Sequence, residues 1–179
     1  MLSKIDIELA RKRIIGYLNE TPLLTSSTLN KVCGANLYFK CENFQKSGSF
    51  KYRGVANALL SLSEEERQKG VITHSSGNHG AALAAFSKKL GLHCAVVVPE
   101  CASEFKLSAI ERYGAHIFKC GISLESRELA VRELMESKEM TYIPPYDHPD
   151  VISGQGTLGL EVMEELTAVE ELWLPVGGG

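Results

Sequence analysis

The segment VITHSSGNHG, residues 71–80, decides the fold class. Residues 71–74 predict a strand, a loop follows, and the alanine-rich stretch over 79–90 predicts a helix. CAVVV at 94–98, ended by a proline, has the continuous apolar character of a strand buried on both faces. A strand, a helix and a second strand in this order predict a parallel sheet with right-handed crossovers.

The same alternation extends in both directions from this segment, so the predicted fold class is α/β. Further helices are predicted at 5–18, 50–60, 103–113, 123–138 and 156–166. Further strands are predicted at 37–40, 116–119, 141–143 and 172–176. The PPYDHP stretch at 144–149 is the best candidate for a boundary between two lobes.

Composition and charge are typical of a globular protein and argue against nucleic acid or a membrane as its partner. The chain has 179 residues, of which 44% are hydrophobic and 23% charged, as in ordinary soluble globular proteins. Its net charge of −3 disfavours non-specific binding to nucleic acid or to an anionic membrane. No apolar run reaches the length of a membrane span, and residues 1–6 do not resemble a secretory signal. We therefore expect neither nucleic acid nor a membrane as a partner.

The cysteines and histidines give no sign of a metal site. The five cysteines are odd in number and none has the Cys-x-x-Cys spacing, which favours reduced thiols in a cytoplasmic protein. The histidines at 74, 93, 116 and 148 show no metal-ligand spacing. The sequence thus predicts neither a disulfide framework nor a zinc site.

Three loops rich in glycine or serine lie beside predicted helices and strands, at 46–54, 75–80 and 177–179. In open α/β sheets, ligands bind in loops beyond the carboxyl ends of the strands. The loop at 75–80 enters a helix, whose free N–H groups and positive potential suit an anion such as a carboxylate. The alternative is an ordinary helix N-cap, which serine and asparagine also favour. The glycines at 177–179 suit a phosphate, although such a run is equally typical of a linker.

Lys51 falls in the first turn of a predicted helix, where the helix dipole disfavours a cation. Desolvation there would lower the pKa of its amine and favour a nucleophile able to form a Schiff base. The alternative is a solvated surface lysine.

Five motifs occur in an order that one enzyme family shares. They are FKCENFQ at 39–45, SFKYRG at 49–54, SSGNHG at 75–80, SGQGT at 153–157 and PVGGG at 175–179. With these motifs the whole chain resembles the fold type II pyridoxal-phosphate enzymes, within the serine racemase and serine/threonine dehydratase (threonine ammonia-lyase) family. The resemblance implies pyridoxal 5'-phosphate as the cofactor and a fold like the tryptophan synthase β subunit.

The resemblance also implies a domain arrangement. Residues 1–69 would be the N-terminal part of a large domain that carries the cofactor lysine. Residues 70–148 would be a complete small α/β domain. Residues 149–179 would return to the large domain, which is only partly present, and end in the phosphate-binding glycine loop.

The resemblance assigns a role to each matching position. Lys51 would bind pyridoxal phosphate covalently and move the Cα proton, while Phe50 would pack on the cofactor ring and Asn78 would bind its phenolic oxygen. The substrate carboxylate would be held by Ser75, Ser76, Gly77, Asn78 and His79. The phosphate would be held by Gly177, Gly178 and Gly179.

The implied reactions are dehydration and racemisation of serine or threonine. Racemisation needs a second proton donor across the cofactor ring from Lys51, and the family places Ser76 there. Arg127 matches racemase-type members, in which this arginine lies near the substrate; the alternative is a solvated arginine on a charged helix. His79 has an alternative as a helix cap or a packed ring.

Family members are roughly twice as long as this chain, as the resemblance implies. The fourth glycine, the group that pairs with the pyridine nitrogen and the divalent-cation site would lie in the further part, so a cation is expected only in a full-length form. Two alternatives remain: a truncated, non-catalytic lobe and, less favoured, a cysteine synthase-like β-replacement enzyme. The expected partners are an amino-acid substrate and, following the family, a second copy in a homodimer.

Overall fold

The structure is a computed structural model that describes residues 2–175. Its helices are α1 (Lys4–Ile14), α2 (Ser27–Cys33), α3 (Lys51–Ser61), α4 (Glu64–Lys69), α5 (Asn78–Leu90), α6 (Glu104–Glu111), α7 (Leu124–Lys138) and α8 (Pro149–Glu165). Its strands are β1 (Leu23–Thr25), β2 (Tyr38–Lys40), β3 (Val71–His74), β4 (Cys94–Pro99), β5 (His116–Cys120) and β6 (Thr141–Tyr142). Within these residues, no helix is both long and apolar enough to cross a membrane.

Strands β5, β4, β3 and β6 form, in that order, a sheet in which every neighbouring pair is parallel. The register aligns Val71 with Cys94 and Ala95 with His116. The carboxyl ends of β3 and β6 therefore lie at the same edge, where the loops that follow them meet. The predicted parallel α/β unit is confirmed.

The two faces of the sheet bury separate sets of apolar side chains, because alternate residues of a strand point in opposite directions. Val96 packs with Leu83 of α5 and Ile110 of α6. Its neighbour Val97 packs on the other face with Val131 of α7. Helices thus cover both faces, as a parallel sheet requires.

Helices α3 and α8 cross with their backbones in contact. A Cβ atom on Gly154 would lie 2.7 Å from the carbonyl oxygen of Arg53 and 2.8 Å from Cα of Gly54, so only glycine allows this approach. Beside the crossing, the Asn57 side chain donates to the carbonyl oxygen of Asp150 at 2.8 Å. The last helix of the chain is thereby locked against the helix that begins at Lys51.

A buried ion network lies beside this crossing and comprises Arg53, Glu42, Glu161, Lys40 and Glu165. The guanidinium of Arg53 is fully buried and donates to both carboxylate oxygens of Glu42 at 2.8 Å. It also donates to Glu161 at 2.6 and 2.8 Å. Lys40 lies 2.9 Å from Glu161 and 2.7 Å from Glu165. The network joins the end of β2, the first turn of α3 and the last two turns of α8.

Two sequence predictions near the end of the chain are wrong. The last helix begins at Pro149, seven residues before the expected start at 156, because Gly154, which local propensity disfavours in a helix, is used where α8 crosses α3. No strand forms over 172–175; Trp173 is 83% exposed, and no strand of the described residues pairs with this segment. Val176, the last residue of that predicted strand, lies outside the described residues.

The N-terminal region also differs from the prediction. The helix expected over 5–18 ends at Ile14 and continues as a 3₁₀ turn over Ile15–Tyr17. Strand β1 was not expected, since it has only three residues, and it pairs antiparallel with β2. Such a short strand is defined by its partner and leaves little periodicity in the sequence.

Candidate active site

Lys51 is the first residue of α3 and is half-buried. Its Nζ donates a hydrogen bond to the carbonyl oxygen of Pro145 at 2.6 Å, and it lies 5.4 Å from the ring centroid of Phe50. Burial lowers the pKa of the amine below its ordinary value. No carboxylate of residues 2–175 forms a salt bridge with it. A larger fraction of this amine is therefore neutral than in a solvated lysine, and its hydrogen-bond acceptor, the Pro145 carbonyl, carries no charge.

The loop Ser75–Gly77 joins the carboxyl end of β3 to the N-terminus of α5. Its path requires a glycine at position 80, because a Cβ there would lie 2.0 Å from the carbonyl oxygen of Ser75. The N-cap residue is Gly77, and no side chain in the part of the chain that the structure describes caps the helix. The ordinary capping role is thus not used here, and the first-turn N–H groups of α5 stay available to an anion.

His79 lies in the first turn of α5 and is 2% exposed. Its Nε2 lies 3.1 Å from the carbonyl oxygen of Ile143, which fixes the tautomer with the proton on Nε2. Burial lowers the pKa of the ring to about 4, so the imidazole is neutral at pH 7. Nδ1 is buried and has no hydrogen-bond partner among residues 2–175. The ring therefore fastens α5 to the segment that also holds Lys51 through Pro145.

A second group of side chains lies beside the loop Ser75–Gly77. The rings of His74 and Tyr142 are stacked with centroids 5.8 Å apart. Burial, together with the nearby charge of Arg127, lowers the pKa of His74. Arg127 is in the first turn of α7, and its Nε donates to the carbonyl oxygen of Ser123 at 3.4 Å. The arginine therefore lies on the His74 side of the sheet rather than fully in solvent.

The structure brings together most of the residues singled out in the sequence, at the carboxyl edge of the sheet. Ser76 is half-buried and Asn78 is exposed at the start of α5. The predicted glycines Gly177, Gly178 and Gly179 lie outside the described residues. Pro145 was not predicted, because a backbone carbonyl leaves no signal in the residue type.

Comparisons with known proteins agree with this geometry. A family model described as pyridoxal-phosphate dependent enzyme matches residues 14–179. The chain belongs to this family. It is 53% identical over 174 residues to the serine racemase of Dictyostelium discoideum, covering 97% of this chain and 54% of that protein. It is 48% identical to the L-threo-3-hydroxyaspartate ammonia-lyase of Saccharomyces cerevisiae, covering 97% of this chain and 53% of that protein.

Solved structures give the same result. The crystal structure of the Dictyostelium discoideum serine racemase matches with a TM-score of 0.85 at 54% identity, covering 94% of this chain and 54% of that one. The processed form of threonine deaminase isoform 2 from Solanum lycopersicum matches with a TM-score of 0.88 at 33% identity, covering 99% and 50%. The chain spans about half the length of the relatives it matches. The predicted family and its partial fold type II architecture are confirmed.

Family membership implies pyridoxal phosphate as the cofactor, and the residues present fit it. The half-buried amine of Lys51, with a lowered pKa and no carboxylate partner in the described part of the chain, suits a carbonyl-bearing cofactor. The Phe50 ring beside that amine offers an apolar surface to an aromatic ring. Within residues 2–175 no three metal-ligating side chains come together.

Proposed function

We propose that this chain provides the cofactor lysine and the substrate-carboxylate loop of an enzyme that dehydrates or racemises serine or threonine. The observation that carries the proposal is the half-buried amine of Lys51, which is bound to a backbone carbonyl and lies beside the N-terminus of α5. Among residues 2–175, no carboxylate pairs with this amine and no side chain caps that helix. The nature of the relatives, which are serine racemases and ammonia-lyases, supports the reaction class.

Lys51 would hold the cofactor and carry the proton of the substrate Cα. Its lowered pKa increases the fraction of neutral amine, which can accept that proton at neutral pH. Pyridoxal phosphate, when bound, supplies the electron sink that stabilises the negative charge at Cα. In dehydration the β-hydroxyl leaves as water, and the released enamine is hydrolysed to a keto acid and ammonia.

The substrate carboxylate would bind at the N-terminus of α5, with contacts from Ser75, Ser76, Gly77, Asn78 and His79. The N–H groups of the first helical turn and the helix dipole favour an anion there. His79 would contribute its backbone N–H, since its ring is neutral and its Nε2 proton is directed to Ile143. Arg127 would add a positive charge on the His74 side of this loop.

Ser76 would deliver the proton on the face of the substrate opposite Lys51, and this second donor is what racemisation requires. Phe50 would pack on the cofactor ring and Asn78 would bind its phenolic oxygen. The phosphate would be held by Gly177, Gly178 and Gly179.

The wider arrangement follows from the same proposal. Residues 70–148 would be the small domain, supported by the four-stranded sheet that lies within them. Residues 1–69 and 149–179 would belong to the large domain, supported by the contact of α3 with α8. A cytoplasmic location is supported by the five cysteines, all of which are free. A homodimer and a divalent-cation site remain predictions for a full-length form.

A second candidate is a non-catalytic lobe, favoured by the fact that the chain spans about half the length of its relatives. Adding pyridoxal phosphate to the purified chain separates the two candidates. The enzyme proposal predicts a visible-range absorbance band that survives dialysis and disappears on borohydride reduction, with the pyridoxyl label on Lys51. No band after dialysis, or a label spread over many lysines, would favour the non-catalytic lobe.

A further inference from the structure

A cavity of about 250 Å³ lies at the amino-terminal edge of the four-stranded sheet, the edge opposite Lys51. Its lining comes from four elements: the end of α4, the starts of β4 and β5, and the end of α7. The polar lining residues are Lys69, His93, His116 and Lys138, and the apolar ones include Phe118 and Met140.

The cavity gathers basic side chains in a chain whose net charge is −3. Lys69 and Lys138 end two different helices, and His93 and His116 flank the starts of two neighbouring strands. The Nζ of Lys138 lies 5.4 Å from the ring centroid of Phe118, which directs this ammonium towards the cavity wall. Four basic groups from separate parts of the sequence thus converge on one concave surface.

The wall beneath these groups is preformed. Gly70 has a φ of +83°, and a Cβ there would lie 2.8 Å from the carbonyl oxygen of His93. This close approach lets the Val71 N–H donate to that same carbonyl at 2.8 Å. On the other side, the Thr141 N–H donates to the carbonyl oxygen of Gly70 at 2.9 Å. A ligand would therefore meet a fixed backbone and would order little beyond the lysine side chains.

Two carboxylates at the rim of the cavity pair with Lys69. Lys69 forms a salt bridge of 2.9 Å with Glu65 and lies 3.9 Å from Glu139. Both glutamates are largely exposed, at 78% and 74%, so each pair contributes little to stability. An anion in the cavity would compete with both glutamates, and chiefly with the nearer Glu65, for this ammonium.

We propose that this cavity binds a small anion with two or more acidic groups, phosphate or carboxylate. Two ammonium groups on separate walls suit two acidic groups of one ligand. The volume falls below the ~300 Å³ at which pockets for drug-sized ligands begin, which selects a compact ligand. Because the site lies across the sheet from Lys51, such a ligand would act as an effector and not as a substrate.

The test is a calorimetric titration of the chain with inorganic pyrophosphate and, separately, with citrate, both at constant ionic strength. We expect saturable binding of one anion per chain, and the tighter of the two shows whether phosphate or carboxylate is preferred. Lys69→Met and Lys138→Met should each weaken binding at least about tenfold. Glu65→Gln should tighten it by about two- to fivefold, since it removes the nearer competing carboxylate, and Glu139→Gln should tighten it less.

Lys31→Met on α2 is the matched control, because it removes the same charge from an exposed lysine outside the cavity. Circular dichroism of each variant verifies its fold, and Lys138→Met alone suffices if Lys69→Met does not fold. The proposal is overturned if the chain shows no saturable binding, or if Lys31→Met weakens it as much as Lys138→Met does. Binding that both cavity lysine variants leave unchanged would place the anion elsewhere, for example at the N-terminus of α5, and would also overturn it.

Discussion

Lys51 and Arg53 stand two residues apart in the first turn of α3, yet their surroundings are opposite. Arg53 is fully buried between Glu42 and Glu161; burial disfavours its charge, but the hydrogen bonds to both carboxylates outweigh this and raise its pKa. Lys51 is half-buried beside a single backbone carbonyl, and burial lowers its pKa. One turn of helix thus carries an ion-paired guanidinium with a raised pKa and an amine with a lowered pKa.

Lys40 shows that burial alone does not produce a reactive amine. Burial would lower its pKa, but its hydrogen bonds to Glu165 and Glu161 outweigh that effect and raise it. Both amines donate to a backbone carbonyl, that of Thr21 for Lys40 and that of Pro145 for Lys51, but only Lys40 also has two carboxylate partners among the described residues. The presence or absence of a carboxylate decides which lysine can act as a nucleophile.

The largest expected effect, on cofactor attachment, comes from removing the amine of Lys51. Lys51→Ala should abolish cofactor attachment, measured as loss of the borohydride-sensitive absorbance band and of the pyridoxyl-labelled peptide. Lys46→Ala is the matched control, because the Lys46 Nζ also donates to a backbone carbonyl, that of Tyr17, at 2.6 Å. An unchanged band in Lys51→Ala would show that another lysine binds the cofactor.

Removing the ion-paired guanidinium of Arg53 should instead destabilise the fold. Arg53→Met leaves the carboxylates of Glu42 and Glu161 without their main partner, so the free energy of unfolding should fall by about 3–5 kcal/mol. Arg53→Lys should cost less, because one charge remains. Urea denaturation measures both variants, and a loss below about 1 kcal/mol for Arg53→Met would contradict the structural role of the buried ion network.

The loop that faces Lys51 offers a finer test of the proposed reaction. In a protein of full family length, Ser76→Ala should reduce racemisation by about 10²–10⁴-fold, the usual contribution of a positioned general acid or base. Elimination from an L-substrate should fall less, because Lys51 takes that proton. The measurement is D-serine and pyruvate formation from L-serine in one preparation, with Ser75→Ala as the control. Equal losses of both products in Ser76→Ala would mean that Ser76 only binds the carboxylate and is not the second proton donor.

His79 gives the smallest expected effect, a pH dependence of stability. Its folded-state pKa of about 4 is below the ordinary value of 6.5, so its neutral form stabilises the fold above pH 6.5 and this contribution is lost as the pH falls towards 4. The expected loss is about 2 kcal/mol between pH 7.5 and pH 5. His74, whose pKa is also lowered by burial, acts in the same direction.

His79→Gln tests this assignment, because glutamine keeps an amide donor for the Ile143 carbonyl and does not titrate in this range. Urea denaturation across the pH range should show a flatter dependence in the variant than in the unaltered chain. An identical dependence in both would mean that His79 is not the group that titrates.

Features that depend on local sequence could be predicted, and those that depend on distant partners could not. The parallel strands β3, β4 and β5 and the helix start at Lys51 follow from apolar runs and motif spacing. The partner of Lys51, the carbonyl of Pro145, is 94 residues away in sequence and leaves no trace in residue type. The helical conformation of residues 149–155 was missed for a related reason: Gly154 serves a contact with α3, and local propensity alone disfavours a helix there.

The contrast between the amine of Lys51 and the carboxylate-bound amine of Lys40 is tested most directly by competitive labelling of the lysines with a trace amine-acylating reagent across a pH series. Peptide mapping then gives the apparent pKa of Lys51 and of Lys40 in the same sample. We predict that Lys51 titrates below the ordinary lysine value of 10.5 and that Lys40 titrates above it. A Lys51 pKa at or above 10.5, or equal values for the two lysines, would contradict the account.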